Sequence, residues 1–497
     1  MVIRVVIKRR IFQWKHHLYL NYYYYIMPNY ITKRGYFITI SEYSEETIDS
    51  VIKELTVKPN INEDFGGKAK PFKVYRKGEK QMILPKFYGI KKFGEAENRV
   101  PDGDDIDVDF DGELRDNQLE PLNKTLEVLK TTGGGLLSLH CGAGKTVLSL
   151  YIIAQLKKKT LVVVNQEFLM DQWIERIKQF LPHLKVGKIQ RDKVQVEDYD
   201  ISLAMLKSLA TRKYEKDTFD SFGLVIVDEC HNIATKEYSK ALQKINSKYM
   251  LGLSATPTRT DGLTKVIKWY IGDIFYKSVV SDKFDVQVEQ YIIKSTDKDY
   301  KRIDLNWKKK PLIARMINNV AEYSERIDFI ADKIKEITKD KSRQILLLSE
   351  RISLLKELEL RIKDTCDYGF FIGGMKSWER ELSMEKQVIL ATFHIAREAL
   401  DIKSLNTLIL ATPKSNIVQA VGRILRKKQG KHLIVDIVDD FSTFKNQRFK
   451  RLNYYKKKDY KVSTFEVDLE LKNCINLSDP ASSSDDENSE SENESIF

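Results

Sequence analysis

The stretch from residue 136 to residue 156 most constrains what this chain can fold into. A mostly apolar run, Leu136-Leu-Ser-Leu139, enters His140-Cys-Gly-Ala-Gly-Lys-Thr146, and an apolar run with helical spacing follows over residues 147–156. That order predicts a buried strand, a glycine loop and a helix. A chain built this way is committed to an α/β sheet with the loop at the strand's C-terminal end. Gly142 and Gly144 let backbone N–H groups turn inward around an anion, and the helix N-terminus adds positive potential. On this reading Cys141, Gly142, Ala143 and Gly144 cradle the phosphates of ATP. Lys145 reaches the β and γ phosphates, and Thr146 holds Mg²⁺. Leu139 stands where the general GxxxxGK[ST] pattern has its first glycine. The bland alternative is a glycine turn before a helix.

A second segment, Phe222-Gly-Leu-Val-Ile-Val-Asp-Glu-Cys-His231, reads as a buried strand ending in two carboxylates. Alone it is an ordinary loop. In the same sheet as the glycine loop, Asp228 can bind Mg²⁺ through water and Glu229 can orient or deprotonate an attacking water. Cys230 and His231 suggest zinc, but no second ligand pair lies nearby in the sequence. Ser254-Ala255-Thr256 follows another apolar run, and its hydroxyls can link the ATP site to a second surface or merely cap a turn.

Short apolar runs alternating with amphipathic stretches continue on both sides. The expected fold is α/β: two tandem RecA-like doubly wound parallel-sheet domains, a small N-terminal α+β domain and a disordered acidic C-terminal tail. The expected division is an N-terminal extension of uncertain status over 1–26, with Met27 a candidate initiator, and an accessory domain over 27–111. An ATP-binding RecA-like domain over 112–280, a second RecA-like domain over 281–462 and a C-terminal segment over 463–497 follow. Strands are expected at residues 344–348, 388–391, 407–410 and 432–437 of the second unit, and helices at 327–337 and 352–362. That unit lacks a glycine loop. It carries instead Gln419-Ala-Val-Gly-Arg-Ile-Leu-Arg426, where Arg423 and Arg426 are three apart and share a helix face. Two guanidiniums so placed can complete a γ-phosphate site when two lobes close, or form a plain basic helix.

These blocks, in this order, resemble superfamily 2 helicases over about residues 112–445. The resemblance implies that Arg115 and Gln118 recognise adenine, that Asn165 and Thr392 contact nucleic acid, and that Asp401 belongs to the nucleotide site. It implies that Ser254, Ala255, Thr256 and Gln419 couple hydrolysis to movement. Val162-Val-Val-Asn165 with Gln172-Trp173 is similar to the first strand-contacting block, and Leu346-Leu-Leu-Ser-Glu350 to the fourth. Glu398-Ala-Leu-Asp401 has Ala399 where the fifth block usually has glycine. Cys141-Gly-Ala-Gly-Lys145 is similar to the loop of the xeroderma pigmentosum group B type. Arg259 and Asp261 stand where that type has an Arg-Glu-Asp triplet, with Thr260 in the middle. Leu84-Pro-Lys-Phe-Tyr-Gly89 resembles the poxviral transcript-release helicase and its relatives in large DNA viruses. The implied activity is ATP hydrolysis coupled to 3′-to-5′ movement on nucleic acid, DNA ahead of RNA, in viral transcription, replication or repair. A duplex-remodelling translocase and a non-catalytic binding protein are the alternatives. A nuclease lacks any further carboxylate–lysine cluster.

Charge fits such a partner. The net formal charge is +12, and the seven acidic residues of 479–497, unaccompanied by basic ones, mask a still more basic body. Four scattered cysteines without a CxxC pair suit a reducing, intracellular compartment, the virion or infected-cell cytoplasm included. No apolar run of about 18 residues suggests a membrane span. Arg448-Phe-Lys-Arg-Leu-Asn-Tyr-Tyr-Lys-Lys-Lys458 interleaves aromatic and basic residues, as a single-strand grip or as a helix packed on the second lobe. The accessory domain and the acidic tail are candidate contacts for transcription or replication proteins.

Overall fold

The computed structural model describes residues 29–60, 69–140, 142–259, 261–278, 284–307, 309–395, 402–425 and 430–477. They form two compact units, divided near residue 280.

In the first unit a helix, α1 (Asp116–Thr132), leads into β1 (Gly134–Ser138), the glycine loop and α2 (Lys145–Leu156). Then come β2 (Thr160–Val164), α3 (Glu167–Phe180), β3 (Val186–Gln190), β4 (Lys193–Val194), β5 (Ile201–Met205), β6 (Leu224–Val227), β7 (Tyr249–Ser254), α4 (Thr264–Ile271) and β8 (Ile274–Lys277). The eight strands lie in the order β4-β3-β5-β2-β6-β7-β1-β8. All pairs are parallel except β3 with β4. Parallel strands covered on both faces have no polar side, which is why these runs are apolar throughout. Leu136, Leu161, Val163, Val225 and Val227 enter one core, and Leu137, Val162, Val164, Leu224 and Ile226 the other.

The first of those cores also contains Tyr36, Met82, Leu84 and Tyr88, so the described residues over 29–60 and 69–100 share a core with the first sheet. A small sheet there has the order Arg76–Lys77, Gln81–Leu84, Gly35–Thr39, Tyr30–Thr32, Glu97–Asn98. A helix over Lys86–Phe93 packs on α4, with the rings of Tyr88 and Trp269 edge to face at 5.4 Å. Asn246 Nδ2 donates to Thr32 O at 2.7 Å and Tyr270 Oη to Val74 O at 2.9 Å.

The second unit runs β9 (Val286–Lys294), α5 (Ile313–Glu322), α6 (Ser324–Ile337), β10 (Ile345–Ser349), α7 (Ile352–Ile362), β11 (Tyr368–Phe371), α8 (Ser377–Met384) and β12 (Val388–Thr392). It continues with β13 (Thr407–Leu410), α9 (Val418–Ile424), β14 (His432–Asp439), α10 (Thr443–Lys457), β15 (Lys461–Asp468) and β16 (Asn473–Asn476). Its eight-stranded order is β11-β12-β10-β13-β14-β9-β15-β16, parallel except for β15 with β16. Two RecA-like sheets with a small N-terminal α+β portion are therefore present. The sheet extends further than expected: β15 pairs with β9 over eight residues, so a boundary at 462 falls inside a strand. Sequence alone favoured ending the lobe there because β15 has intermediate burial and polar alternation. Among the described residues no helix is long and apolar enough to cross a membrane.

Candidate ATP and coupling site

Parallel register gathers the chemistry at one edge of the first sheet. Ser254 on β7 pairs with Ser138 on β1, and Val227 on β6 pairs with Gly252 on β7 and Val163 on β2. The glycine loop, Asn165, Asp228, Glu229 and Ser254-Ala255-Thr256 therefore all lie at or just beyond strand C-termini, where open α/β sheets bind ligands.

Gly142 and Gly144 have φ of 83° and 78°, backbone that a side chain resists. A Cβ on Gly144 would stand 2.6 Å from Gln118 Nε2. Gln118 is buried, and its amide donates to Gly144 O at 3.2 Å and to Ala143 O at 3.3 Å. Its Oε1 accepts the Arg115 N–H at 3.0 Å, fixing the start of α1. The expected base reader thus grips the loop itself and holds its shape.

Lys145 Nζ donates to Glu229 Oε1 at 3.1 Å, the two side chains being 14% and 18% exposed. Burial works to raise the Glu229 carboxyl, but Lys145 and His231 outweigh it and hold it below the ordinary carboxylate range. Asp228 moves the other way, raised by burial and then by the Glu229 charge. Glu229 sits at φ 44°, ψ 50°, a left-handed conformation unfavourable for a residue with a Cβ. That turn aims its carboxylate at Lys145 while Asp228 stays at the strand tip.

Sequence reading missed what holds Asp228. Trp173 of α3 is buried in the core, and its indole N–H donates to Asp228 Oδ2 at 2.9 Å. The Glu229 N–H donates to the other oxygen at 2.9 Å. The resemblance put Trp173 in a strand-contacting block; the structure makes it a brace for the carboxylate. No local signal reveals this, because the partners are 55 positions apart.

His231 joins two blocks. Its Nδ1 lies 3.1 Å from Glu229 Oε2 and 3.0 Å from Ser254 Oγ. Ser254 Oγ also accepts the Thr256 N–H at 3.1 Å. Arg259 donates to the His231 carbonyl and makes a two-pronged ion pair with Asp261. The Asp261 carbonyl in turn accepts the Asn60 N–H at 2.9 Å. A continuous polar chain thus runs from the Lys145 ammonium to residue 60.

Asn165 follows β2 with its Oδ1 buried and without a hydrogen-bond partner. In the second unit Gln419 and Arg423 lie on α9, 7% and 9% exposed, and half-buried Thr392 ends β12. Ala143 is buried at 6%, and Thr146 is half-buried in the first turn of α2. Cys141, Asp401, Arg426, the extension over 1–26 and the acidic tail lie outside the described residues. Among the described residues no group of three or more His, Cys, Asp or Glu could hold a metal ion by itself. The oxygens of Asp228 and Thr146 are hard donors, which suit Mg²⁺ brought in with a nucleotide.

Residues 111–259 match a family described as "Type III restriction enzyme, res subunit". A protein of Acanthamoeba polyphaga mimivirus, "Putative ATP-dependent RNA helicase L396", is 37% identical over 469 residues, 90% of this chain and 89% of its own. "Putative ATP-dependent RNA helicase QP509L" of African swine fever virus (isolate Pig/Kenya/KEN-50/1950) is 27% identical over 365 residues, 68% of this chain and 71% of its own. "DNA 3'-5' translocase XPB2" of Sulfurisphaera tokodaii is 26% identical over 400 residues, 71% of this chain and 87% of its own.

Proposed function

Because the chain belongs to the superfamily 2 helicases, as a relative of viral ATP-dependent helicases and of the XPB2 translocase, we propose that it moves 3′ to 5′ on DNA. It is an ATP-hydrolysing helicase, and nucleic acid is its partner. The role we assign is transcription, replication or repair in a large DNA virus, the accessory portion and acidic tail recruiting other proteins of that process.

One observation carries the reading: the polar chain from Lys145 through Glu229 and His231 to Ser254. ATP phosphates entering the glycine loop compete with Glu229 for Lys145. Glu229, released from that pair, takes the attacking water, and His231 passes the change to Ser254 and Thr256. Thr146 and Asp228 would hold Mg²⁺, which neutralises phosphate charge when bound. Arg423 and Arg426 act on the same γ-phosphate from the second lobe, and Asn165 and Thr392 grip the strand.

The test is steady-state ATPase with single- and double-stranded DNA and RNA side by side, then displacement of strands bearing 3′ or 5′ overhangs. Single-stranded DNA should stimulate most, and 3′-tailed duplexes should open first. RNA-only stimulation, or preference for 5′ tails, overturns the assignment. Lys145→Ala should abolish turnover; retained hydrolysis rejects the site.

A second reading, translocation on intact duplex, is favoured by the XPB2 resemblance. Displacement of a triplex third strand without duplex opening would select it.

A further inference from the structure

Helix α10 carries a surface that the ATPase machinery does not use. Its sequence, TFKNQRFKRLNYYKK, contains no acidic residue, whereas α6 and α7 of the same unit each mix acids with bases. The helix is anchored on one side by Phe444, Arg451 and Tyr455, all buried. Arg451 Nε donates to Asp436 of β14, and its Nη1 donates to the Lys414 carbonyl at 2.7 Å. The Tyr455 hydroxyl donates to Asp436 at 3.2 Å.

The other side is open. Lys445, Lys450, Lys456, Lys457 and Lys458 are exposed, and Phe449 among them is 54% exposed. Positions 445, 449, 453 and 456–457 fall on one helical face. Asp440, just before the helix, is already paired with Arg448 at 3.6 Å. Lysines in the last turn offset the helix dipole and need no ligand to explain them. Lys445 and Lys450 have no such explanation: Lys445 lies in the first turn, where a cation is unfavourable. Phe449 sets an exposed aromatic ring directly beside Lys450.

We infer that the outward face of α10 is a contact surface for the sugar–phosphate backbone of a single strand, with Phe449 stacking on a base. Charge complementarity selects the occupant: only a polyanion benefits from four exposed helix lysines with no acid on the helix, and only one bearing π-faces uses Phe449. The face is tied to the motor. Lys414, whose carbonyl Arg451 holds, precedes α9 by four residues, and α9 carries Arg423. A strand gripped by α10 therefore loads the segment that positions the arginine. This inference rests on the nucleic-acid motor reading and adds a site to it.

The experiment uses the full chain and a fluorescein-labelled oligo(dT), with binding measured across a salt series. The variants are K445Q/K450Q/K457Q and F449A. The triple change should weaken binding about tenfold at moderate salt and flatten the log–log salt slope by about 2, at about 0.7 per phosphate lost. ATPase without nucleic acid should be unchanged. F449A should weaken binding with the slope unaltered, since stacking releases no counterions. Unaltered affinity and slope in the triple variant, with a wild type that binds and is stimulated, reject this surface alone. A wild type that neither binds nor is stimulated rejects the motor reading and this inference with it. Carbodiimide coupling of Lys445 or Lys450 to residues 485–494 in saturating oligonucleotide would make the acidic tail the occupant and also reject it.

Discussion

At the scale of single residues, the site is governed by where carboxylates find donors. Asp228 is buried, and a buried carboxylate is tolerated only when its oxygens are bonded. Trp173 supplies one of those bonds from a helix that contributes nothing else to the edge. Trp173→Phe keeps an aromatic in the core and deletes only the N–H. If Asp228 holds Mg²⁺ as proposed, removing the brace behind it costs about 10–100-fold in metal affinity or activity. Activity of this variant should need correspondingly more Mg²⁺ for half-maximal ATPase, with the far-ultraviolet circular dichroism of the wild type. A Mg²⁺ titration superimposable on the wild type's would remove Trp173 from the site. Glu229→Gln makes a sharper demand. The amide keeps the size and can still accept from Lys145, but cannot take a proton. ATP binding should survive while single-turnover hydrolysis falls by at least about 10²-fold, the lower range for a lost general base.

At the scale of elements, legibility followed distance along the chain. The glycine loop was readable because strand, turn and helix are contiguous, and β6 with its two carboxylates was readable because burial on both faces writes an unbroken apolar run. Strands β3 and β11 were not, since their burial alternates with half-exposed positions, nor was β15, which is half-exposed along nearly its whole length. The contacts of Gln118 and Trp173 were unreadable, being side-chain geometry across tertiary distance. The union of the described residues over 29–60 and 69–100 with the first sheet was also hidden. Lys86 illustrates it. The lysine opens the helix over Lys86–Phe93, yet it is buried, with its ammonium 3.4 Å from the carbonyls of Ser247 and Lys248 just before β7. Burial pushes its pKa down to about 8. Between that value and the ordinary lysine value, the unfolded chain binds more protons than the folded one, so this group makes stability rise with pH. Relative to Lys86→Met, the wild type should gain up to about 3 kcal/mol of unfolding free energy between pH 8 and 10.5. Urea midpoints of both proteins at pH 7.5 and 9.5 measure it. A constant difference would mean that the Lys86 ammonium keeps the ordinary lysine value in the folded protein.

At the scale of the whole molecule, the question is how two sheets become one motor. Each unit holds its own core, and the second also holds ion pairs with both partners buried. In the second, Arg326 on α6 makes a two-pronged pair with Asp439 at 2.7 and 2.8 Å and donates to Ala411 O, just past β13. Such a pair contributes rigidity at the strand ends leading toward α9. The first unit offers a lysine, carboxylates and a loop for phosphates, which suffices to bind ATP. A transition-state cation is the role proposed for Arg423 of the second unit. If Arg423 supplies that cation, its loss must appear in turnover and not in binding, because a group used only in the transition state lowers kcat without weakening the ground-state complex. Arg423→Ala should therefore bind a fluorescent ATP analogue as the wild type does, and lose about 10³-fold or more of its nucleic-acid-stimulated kcat. Lys145→Ala should lose both. Combining the two should be no worse than Lys145→Ala alone, since residues acting as a unit are not additive. If Arg423→Ala instead weakened nucleotide binding and left kcat intact, the arginine would be a ground-state ligand.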